Sequence, residues 1–304
     1  MSGTFGSIEK RIGSNGSFLA YKTYSKSHGK LVYRHYEREL WALKQLKISS
    51  KENHIIYLID NQETSTCYHL IFPFYDSTLQ ERCNEKNIEL ANDFIQQISK
   101  GLSYLHENNI IHCDLSPGNI LIDSLTGCMV ICDFGCAHSS SDNSNDSNEE
   151  VGTRYYKAPE HLFGSKRYSS STDIWSLGAI YAQLLIGYPV FAGESDIEQI
   201  GRVVSRLGKP SKKVEHDEMH DYPDTNKLMF FSDNYSDDDY EDEYSSESDD
   251  EEMEALRISR IPLKQLINDD NLSEIDKQLI LGILTWSIQD RLTIPEILAL
   301  KNQS

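Results

Sequence analysis

Two hydrophobic rhythms run along this chain, one after the other. Near the start, Leu19-Ala20-Tyr21-Lys22 and Tyr68-His69-Leu70-Ile71-Phe72-Pro73-Phe74-Tyr75 read as strands. In the first, Ala20 and Lys22 point to the same face. Leu40, Leu43 and Leu46, spaced by three, predict a helix that also carries Glu39. Further on the helical period takes over: Phe94, Ile95, Ile98, Leu102 and Leu105 fall on one face. Asn119–Asp123 and Met129–Cys132 form a predicted hairpin with its turn at Gly127. The stretch from Asp173 to Ile186 is apolar nearly all round, as a buried central helix would be. Ser195-x-x-Glu198 and Thr293-x-x-Glu296 are capping boxes. The first opens a helix that stops at Gly208-Lys209-Pro210, and Pro295 sits in the first turn of the second. Strands first and helices later predict an α+β chain.

Composition changes this picture in one place. Residues 233–254 carry thirteen Asp or Glu and no Lys or Arg, so without them the formal charge of −19 becomes −6. The rest is an ordinary, mildly acidic globular sequence of a length that suits one two-lobed domain or two small ones. The acidic block reads as a solvated, disordered surface loop. It is a candidate docking surface for a basic partner, and Ser236, Ser246 and Ser248 each have an acid three residues on. No basic stripe points to nucleic acid. No apolar run reaches the ~18 residues of a membrane span, and no basic-then-apolar leader opens the sequence. The six cysteines are scattered without C-x-x-C pairs, which predicts a reduced intracellular protein.

The chemistry concentrates in His112-Cys113-Asp114-Leu115-Ser116-Pro117-Gly118-Asn119 and, after a short apolar strand, Asp133-Phe134-Gly135. Asp114, Asn119 and Asp133 offer oxygen donors that can hold hard cations and orient a hydroxyl group. Upstream, Gly3-Thr4-Phe5-Gly6 reads as a glycine-bearing turn between short strands, with Gly16 suiting the turn before Lys22. A competing glycine loop, Ile12-Gly13-Ser14-Asn15-Gly16, would need Arg34 or His35 as its cation. Arg34 lies only five positions before Glu39, too few for a connection and two helical turns, whereas Lys22 lies seventeen before it.

The order H-x-D-L-x-x-x-N, D-F-G and Ala158-Pro159-Glu160 resembles the protein kinases. The resemblance covers essentially the whole chain. It implies a bilobal fold, a small β-rich lobe over residues 1–72 and a larger helical lobe over 73–304, with ATP between them and an acidic insert at 228–256. It implies Asp114 as the residue that orients the substrate hydroxyl, and Asn119 and Asp133 as ligands of Mg²⁺. Lys22, paired with Glu39, would hold phosphates. Gly3, Gly6, Ile8 and Ala20 would cover the nucleotide, Phe72 would narrow the back of the pocket, and backbone groups of Pro73 and Tyr75 would meet the adenine edge. Asp173 would hold the catalytic-loop backbone, and Arg291 would pair with Glu160 as structural support. A full G-x-G-x-x-G would need a glycine at Met1, so the sequence begins inside its phosphate-covering loop.

Departures from the family carry information too. Cys113 stands where an Arg normally pairs with a phosphorylated activation-loop residue, and Asn148 stands at the usual phosphosite, with Ser147, Glu149 and Glu150 beside it. The two losses match, which implies a kinase that does not need that switch; fixed charge from Glu149 and Glu150, or use of Ser147 in place of Asn148, stands open beside that reading. Ser116 replaces a usual Lys, which keeps a non-catalytic kinase-fold scaffold as the alternative. Gly152–Glu160 is similar to the T-R-W-Y-R-A-P-E segment of the cyclin-dependent group (CMGC), with Tyr155 for Trp and Lys157 for Arg. A lysine is a point charge without the guanidinium fork, so a preference for proline after the target residue is not implied. Gly193–Ile200 looks like the cell-cycle-related kinase, and Phe72-Pro73-Phe74 with Tyr156–Glu160 and Leu162-Phe163-Gly164 looks like the fungal single-chain CDK-activating kinase. Both imply a serine/threonine kinase of the nucleus or cytoplasm whose substrate is the activation loop of another kinase. The helix bearing Glu39 lacks P-S-T-A-I-R-E, so the resemblance does not call for a cyclin.

Overall fold

The computed structural model describes residues 6–14, 16–46, 52–141, 152–231 and 261–302. Gly3, Ser147, Asn148, Glu149 and Glu150 lie outside them, as do Ser236, Ser246 and Ser248 and nearly all of the acidic block.

Strands β1 (Ser7–Ile12) and β2 (Phe18–Ser25) form a hairpin. Its turn closes through Gly13 and Ser17, and Gly16 takes φ 81°, which glycine adopts without a Cβ penalty. With β3 (Asp60–Glu63) and β4 (Cys67–Pro73) they make a four-stranded antiparallel sheet in the order β1-β2-β4-β3. Register sets Ala20 opposite Phe72, Lys22 opposite Leu70 and Tyr24 opposite Tyr68.

Helix α1 (Gly29–Gln45) follows β2 after one short turn and carries Glu39 near its middle. It begins earlier than the leucine spacing suggests. Arg34 and His35 lie inside it, which removes the competing glycine-loop reading. Its buried face is Val32, His35, Tyr36, Glu39, Ala42 and Leu43, while Leu40 is only half-buried. The apolar triplet therefore marked one edge of the face and missed its polar and aromatic centre. Past α1 the chain is pinned to the helical part, where Ile55 bridges to Ile131 and the Ile56 N–H donates to the Ile131 carbonyl at 2.9 Å.

The helical part is built on α2 (Ile88–Glu107) and α3 (Ser170–Ile186). Phe94, Ile95, Ile98, Leu102 and Leu105 are all fully buried on α2, and α3 is buried on nearly every side. Helix α4 (Asp196–Leu207) is capped by Ser195 and ends at Gly208. Helices α5 (Glu274–Ile283) and α6 (Ile294–Lys301) complete the layer. Gly178 lets α3 and α5 meet, since a Cβ there would stand 2.3 Å from an Ile283 methyl. Inside, Asp276 takes hydrogen bonds from the Tyr181 hydroxyl at 2.5 Å and Lys301 at 2.9 Å, so three polar side chains enter the core satisfied.

Between the sheet and the helices run short strands: β5 (Ser77–Thr78), β6 (Ile110–Ile111), β7 (Ile120–Asp123), β8 (Cys128–Ile131) and β9 (His138–Ser139). β7 and β8 are the expected hairpin, with Gly127 at φ 69° in its turn. β6 pairs with β9 and so fastens the start of the H-C-D loop to the segment after D-F-G. The predicted boundary of the acidic insert needs one correction. Leu228 and Phe231 are buried, and residues 225–230 form a 3-10 turn, so 228–231 belong to the packed domain.

Candidate active site

The site assembles where β2, α1 and the β7–β8 hairpin converge. Lys22 comes from the strand, and its ammonium lies 2.8 Å from Glu39 Oε2 and 2.9 Å from Asp133 Oδ1. Glu39 is buried at 1% exposure, whereas the Asp133 side chain is 43% exposed at the mouth. The electrostatics follow. Burial pushes the Lys22 pKa down, but Asp133 and Glu39 outweigh it and hold the ammonium well above its ordinary value. Burial would raise Asp133, yet the facing ammonium leaves it below the usual range. Glu39 ends above it, because burial outweighs Lys22 there.

The β7–β8 register aligns Ile120 with Ile131, and the Cys132 N–H donates to the Asn119 carbonyl at 2.9 Å. The loops bearing Asn119 and Asp133 are thereby held side by side. The Asn119 amide nitrogen donates to the Asp114 carbonyl at 2.8 Å and to Asp114 Oδ2 at 3.2 Å. That commits Nδ2 to Asp114 and leaves Oδ1 as Asn119's acceptor. Asp114 Oδ1 accepts twice from Thr153, from its N–H at 2.7 Å and its hydroxyl at 2.8 Å. Burial raises the Asp114 pKa, and the Thr153 bonds work against that rise.

Two non-glycine residues at this centre, Cys113 and Asp133, both adopt φ 65°. Such backbone costs on the order of 1–3 kcal/mol each and persists only where the surroundings fix it. The surroundings do fix it. Asp173, fully buried at the start of α3, accepts from the His112 N–H and the Cys113 N–H, both at 2.9 Å, and from His106 Nε2 at 2.9 Å. Burial would raise Asp173, but the His106 bond and its other donors bring it below the carboxylate range. His112 Nδ1 accepts from the Asp114 N–H at 3.3 Å, so Nε2 carries the proton that reaches the Cys132 carbonyl at 2.9 Å. Its ring meets the buried Phe134 edge-on at 5.2 Å.

Cys113 turns away from the site. It is buried with Ile111, against Cys136 and Tyr168, and burial pushes its thiol well above the ordinary value. Ser116 is buried at 6%. Behind the loops, Arg291 holds Glu160 with two parallel bonds of 3.0 and 3.2 Å, both side chains out of water. The guanidinium also donates to the Ser171 and Thr285 carbonyls and lies 5.2 Å from the Trp175 ring.

The remaining sequence-predicted residues line the approach to Lys22. Ala20 is half-buried opposite the buried Phe72, Pro73 ends β4 opposite Leu19, and Tyr75 follows half-buried. Ile8 pairs with Lys22 across β1 and β2 and is 42% exposed, and Gly6 abuts β1 with the Thr23 carbonyl against it. Sequence reasoning missed three contributors: Tyr24, whose hydroxyl donates to Glu39, Thr153 and His106. Tyr24 shares the Lys22 face by strand alternation, a signal within reach. Thr153 and His106 act across 39 and 67 residues of sequence, which no local pattern reveals.

The donor set suits a cation carried in with phosphates. Among the described residues no cluster of three or more His, Cys, Asp or Glu is arranged to hold a metal. Mg²⁺, however, usually takes one or two protein oxygens and completes its shell with water and substrate phosphates. Half-exposed Asp133, on the loop held next to the one bearing Asn119, fits that pattern.

Comparison with known proteins agrees with this geometry. The protein kinase domain family matches residues 2–301. Cyclin-dependent kinase D-1 of Oryza sativa subsp. indica is 36% identical over 199 residues, 64% of this chain and 46% of that protein. Cyclin-dependent kinase 20 of Danio rerio is 37% identical over 199 residues, covering 64% and 56%. Cyclin-dependent kinase-like 2 of Rattus norvegicus is 32% identical over 212 residues, covering 68% and 41%. The chain thus spans about half the length of the curated relatives it matches. With a β-rich sheet over a helical layer, the Lys22–Glu39–Asp133 bridge between them and a family match along nearly its whole length, this chain belongs to the protein kinase domain family and is like the cyclin-dependent kinases within it.

Proposed function

We propose that the chain is an active serine/threonine kinase that transfers the γ-phosphate of ATP to a protein hydroxyl. The observation that carries this is the Lys22 ammonium lying within 2.9 Å of both Glu39 and Asp133, beside an Asp114 already oriented by Asn119 and Thr153. A polyanionic nucleotide meets here one ammonium and three carboxylates. Divalent cation must therefore enter with it, and Asp133 and Asn119 are the residues that would hold it. When bound, Mg²⁺ neutralises charge on the phosphates. Asp114 orients the acceptor hydroxyl and takes its proton, Lys22 holds phosphate oxygens, and Glu39 aims Lys22. Gly3, Gly6, Ile8 and Ala20 cover the nucleotide, Phe72 backs its base, and Pro73 and Tyr75 present backbone groups to the base edge. In this reading residues 1–72 act as the small lobe and 73–304 as the large one.

As substrate we infer the activation loop of another kinase, on the short motifs shared with CDK-activating and cell-cycle-related kinases. The helix bearing Glu39 lacks P-S-T-A-I-R-E, so this reading does not call for a cyclin. The six scattered cysteines, without C-x-x-C pairs, are the ground for reading the chain as a protein of the nucleus or cytoplasm. The acidic block is read as a surface for a basic protein partner.

The test is phosphotransfer from Mg-ATP to a panel of kinase activation-loop peptides. Activity in the wild type that vanishes in Asp114→Ala supports the proposal. Equal background in both would leave the second reading, a non-catalytic kinase-fold scaffold, which buried Ser116 in place of a lysine favours.

A further inference from the structure

The face of α1 that presents Glu39 also presents two tyrosines. Tyr33, Tyr36, Glu39 and Leu43 follow one another at spacings of three and four, so they line one stripe of the helix. The strands opposite supply two more rings. Tyr24 on β2 and Tyr68 on β4 are direct cross-strand partners. Tyr36 stacks on Tyr68 with centroids 4.3 Å apart and planes at 17°, and meets Tyr24 edge-on at 5.7 Å. Tyr33 covers Tyr68 at 5.5 Å. Lys26 lies 4.6 Å from the Tyr68 ring while pairing with Glu63 at 2.6 Å. Four rings thus fasten one helix to two strands. Offset and edge-to-face ring pairs add to the apolar burial they also provide.

The inner end of this ladder is polar. The Tyr24 hydroxyl donates to Oε2 of Glu39, the same oxygen that faces Lys22 at 2.8 Å. Tyr24 is 1% exposed, and burial together with Glu39 pushes its phenol well above the ordinary value, so it remains a donor at neutral pH. Glu39 is a buried carboxylate with two partners from one strand, and both of them draw α1 inward. Without the hydroxyl, one oxygen of a desolvated charge loses a donor, and a helix shift toward water becomes the cheaper arrangement.

We propose that Tyr24 is a positioning residue for phosphoryl transfer, holding Glu39 against Lys22 through its hydroxyl while the Tyr33–Tyr36–Tyr68 rings fix the helix that carries Glu39. The active setting of α1 is then intrinsic to the chain. The kinetic part rests on the reading of the chain as a phosphotransferase; the hold on α1 does not.

Tyr24→Phe keeps the ring in the ladder and removes only the oxygen. We expect kcat to fall about tenfold, as for loss of a hydrogen bond to a charged group, with KM for ATP changing less than threefold and the melting temperature by no more than a few degrees. The decisive measurement is a double-mutant cycle with Glu39→Gln. If Tyr24 acts through Glu39, the double variant is no slower than Glu39→Gln alone; losses that multiply would overturn the proposal. Hydrogen exchange of the α1 amides reads the same hold without turnover. It should quicken in Tyr24→Phe, and also in Tyr68→Leu, which removes the stacking partner. A wild type inert toward Mg-ATP would sink the phosphotransfer reading alone, whereas unchanged α1 exchange in both variants would sink this one.

Discussion

Thr153 binds a single oxygen of Asp114 twice, through its N–H at 2.7 Å and its hydroxyl at 2.8 Å. Oδ1 of Asp114 is thereby tied to the segment ahead of Ala158-Pro159-Glu160, and Oδ2 to Asn119 on its own loop. The candidate base is aimed by two elements that only the folded chain brings together.

Thr153→Ala should expose how much of that aim is needed. The N–H bond remains and the hydroxyl bond is lost, so kcat should drop about tenfold, the scale of one charge-assisted bond. The pH profile gives an independent check. Burial raises Asp114 and Thr153 opposes the rise. A base must be unprotonated, so rate is lost as pH falls through this raised pKa, above the ordinary aspartate value of about 3.9. In Thr153→Ala the acid limb should move higher still, and Thr153→Ser should restore it. An acid limb unmoved by the alanine would show that the hydroxyl does not touch the proton balance of Asp114.

Glu160 and Arg291 should dominate stability. Both side chains are out of water and joined by two bonds. Arg291→Met leaves a carboxylate buried without its partner, a loss of about 3–5 kcal/mol on breaking such a pair. Urea titration should show it, and Glu160→Leu combined with Arg291→Met should recover part of it. Burial raises Glu160 and Asp173, but Arg291 and His106 respectively bring both below their ordinary values. Stability from these groups is present above the unfolded pKa of about 4. It declines as pH drops below that point and is gone once the folded carboxylates themselves protonate. In Arg291→Met the acid-induced loss should shrink by the share of Glu160.

Local pattern revealed what repeats locally. The α2 stripe, the Gly127 hairpin, the capping of α4 and α6 and the buried α3 all follow from side chains within a few residues of one another. Asp114, Asn119 and Asp133 could be singled out because they cluster in sequence as well as in space. The face of α1 is less legible in the sequence, because its centre is Tyr36 and Glu39 and leucine spacing passes over both. Acidic composition begins just beyond Leu228 and Phe231 and draws them into the insert, because composition cannot say where a core ends. The bonds from His106 to Asp173 and from Thr153 to Asp114 join segments far apart in the chain, so they required the fold itself.

Cys113 bears on regulation. In the family the residue after this histidine is commonly an arginine; here the side chain packs with Ile111 against Cys136 and Tyr168. An arginine would force a much larger side chain into that buried cluster, so Cys113→Arg should destabilise by about 1–3 kcal/mol through overpacking and should not raise activity. Phosphatase treatment of the wild type should leave its rate unchanged. A large drop on dephosphorylation would mean that a phosphate does hold the activation segment, through groups other than Cys113.

The acidic block should prove separable from the kinase fold. Both of its described flanks are fixed to the same helix. The Phe231 ring lies against Gly201 of α4, 3.1 Å from where a Cβ there would stand, and Arg206 of α4 donates to the Ile261 carbonyl at 2.5 Å. Burial of Leu228 and Phe231 seals the near side. Replacing residues 233–254 with a glycine–serine linker of equal length removes thirteen negative charges and takes the net charge from −19 to −6. The melting temperature should stay within a few degrees, and turnover of a short peptide within about twofold, because surface changes away from the core usually cost under about 0.5 kcal/mol. Binding of a lysine-rich polypeptide should weaken strongly, and the difference between the two proteins should vanish at high salt, where exposed charges are screened. A drop of ten degrees in melting temperature would show instead that the block contributes to the packing of the domain.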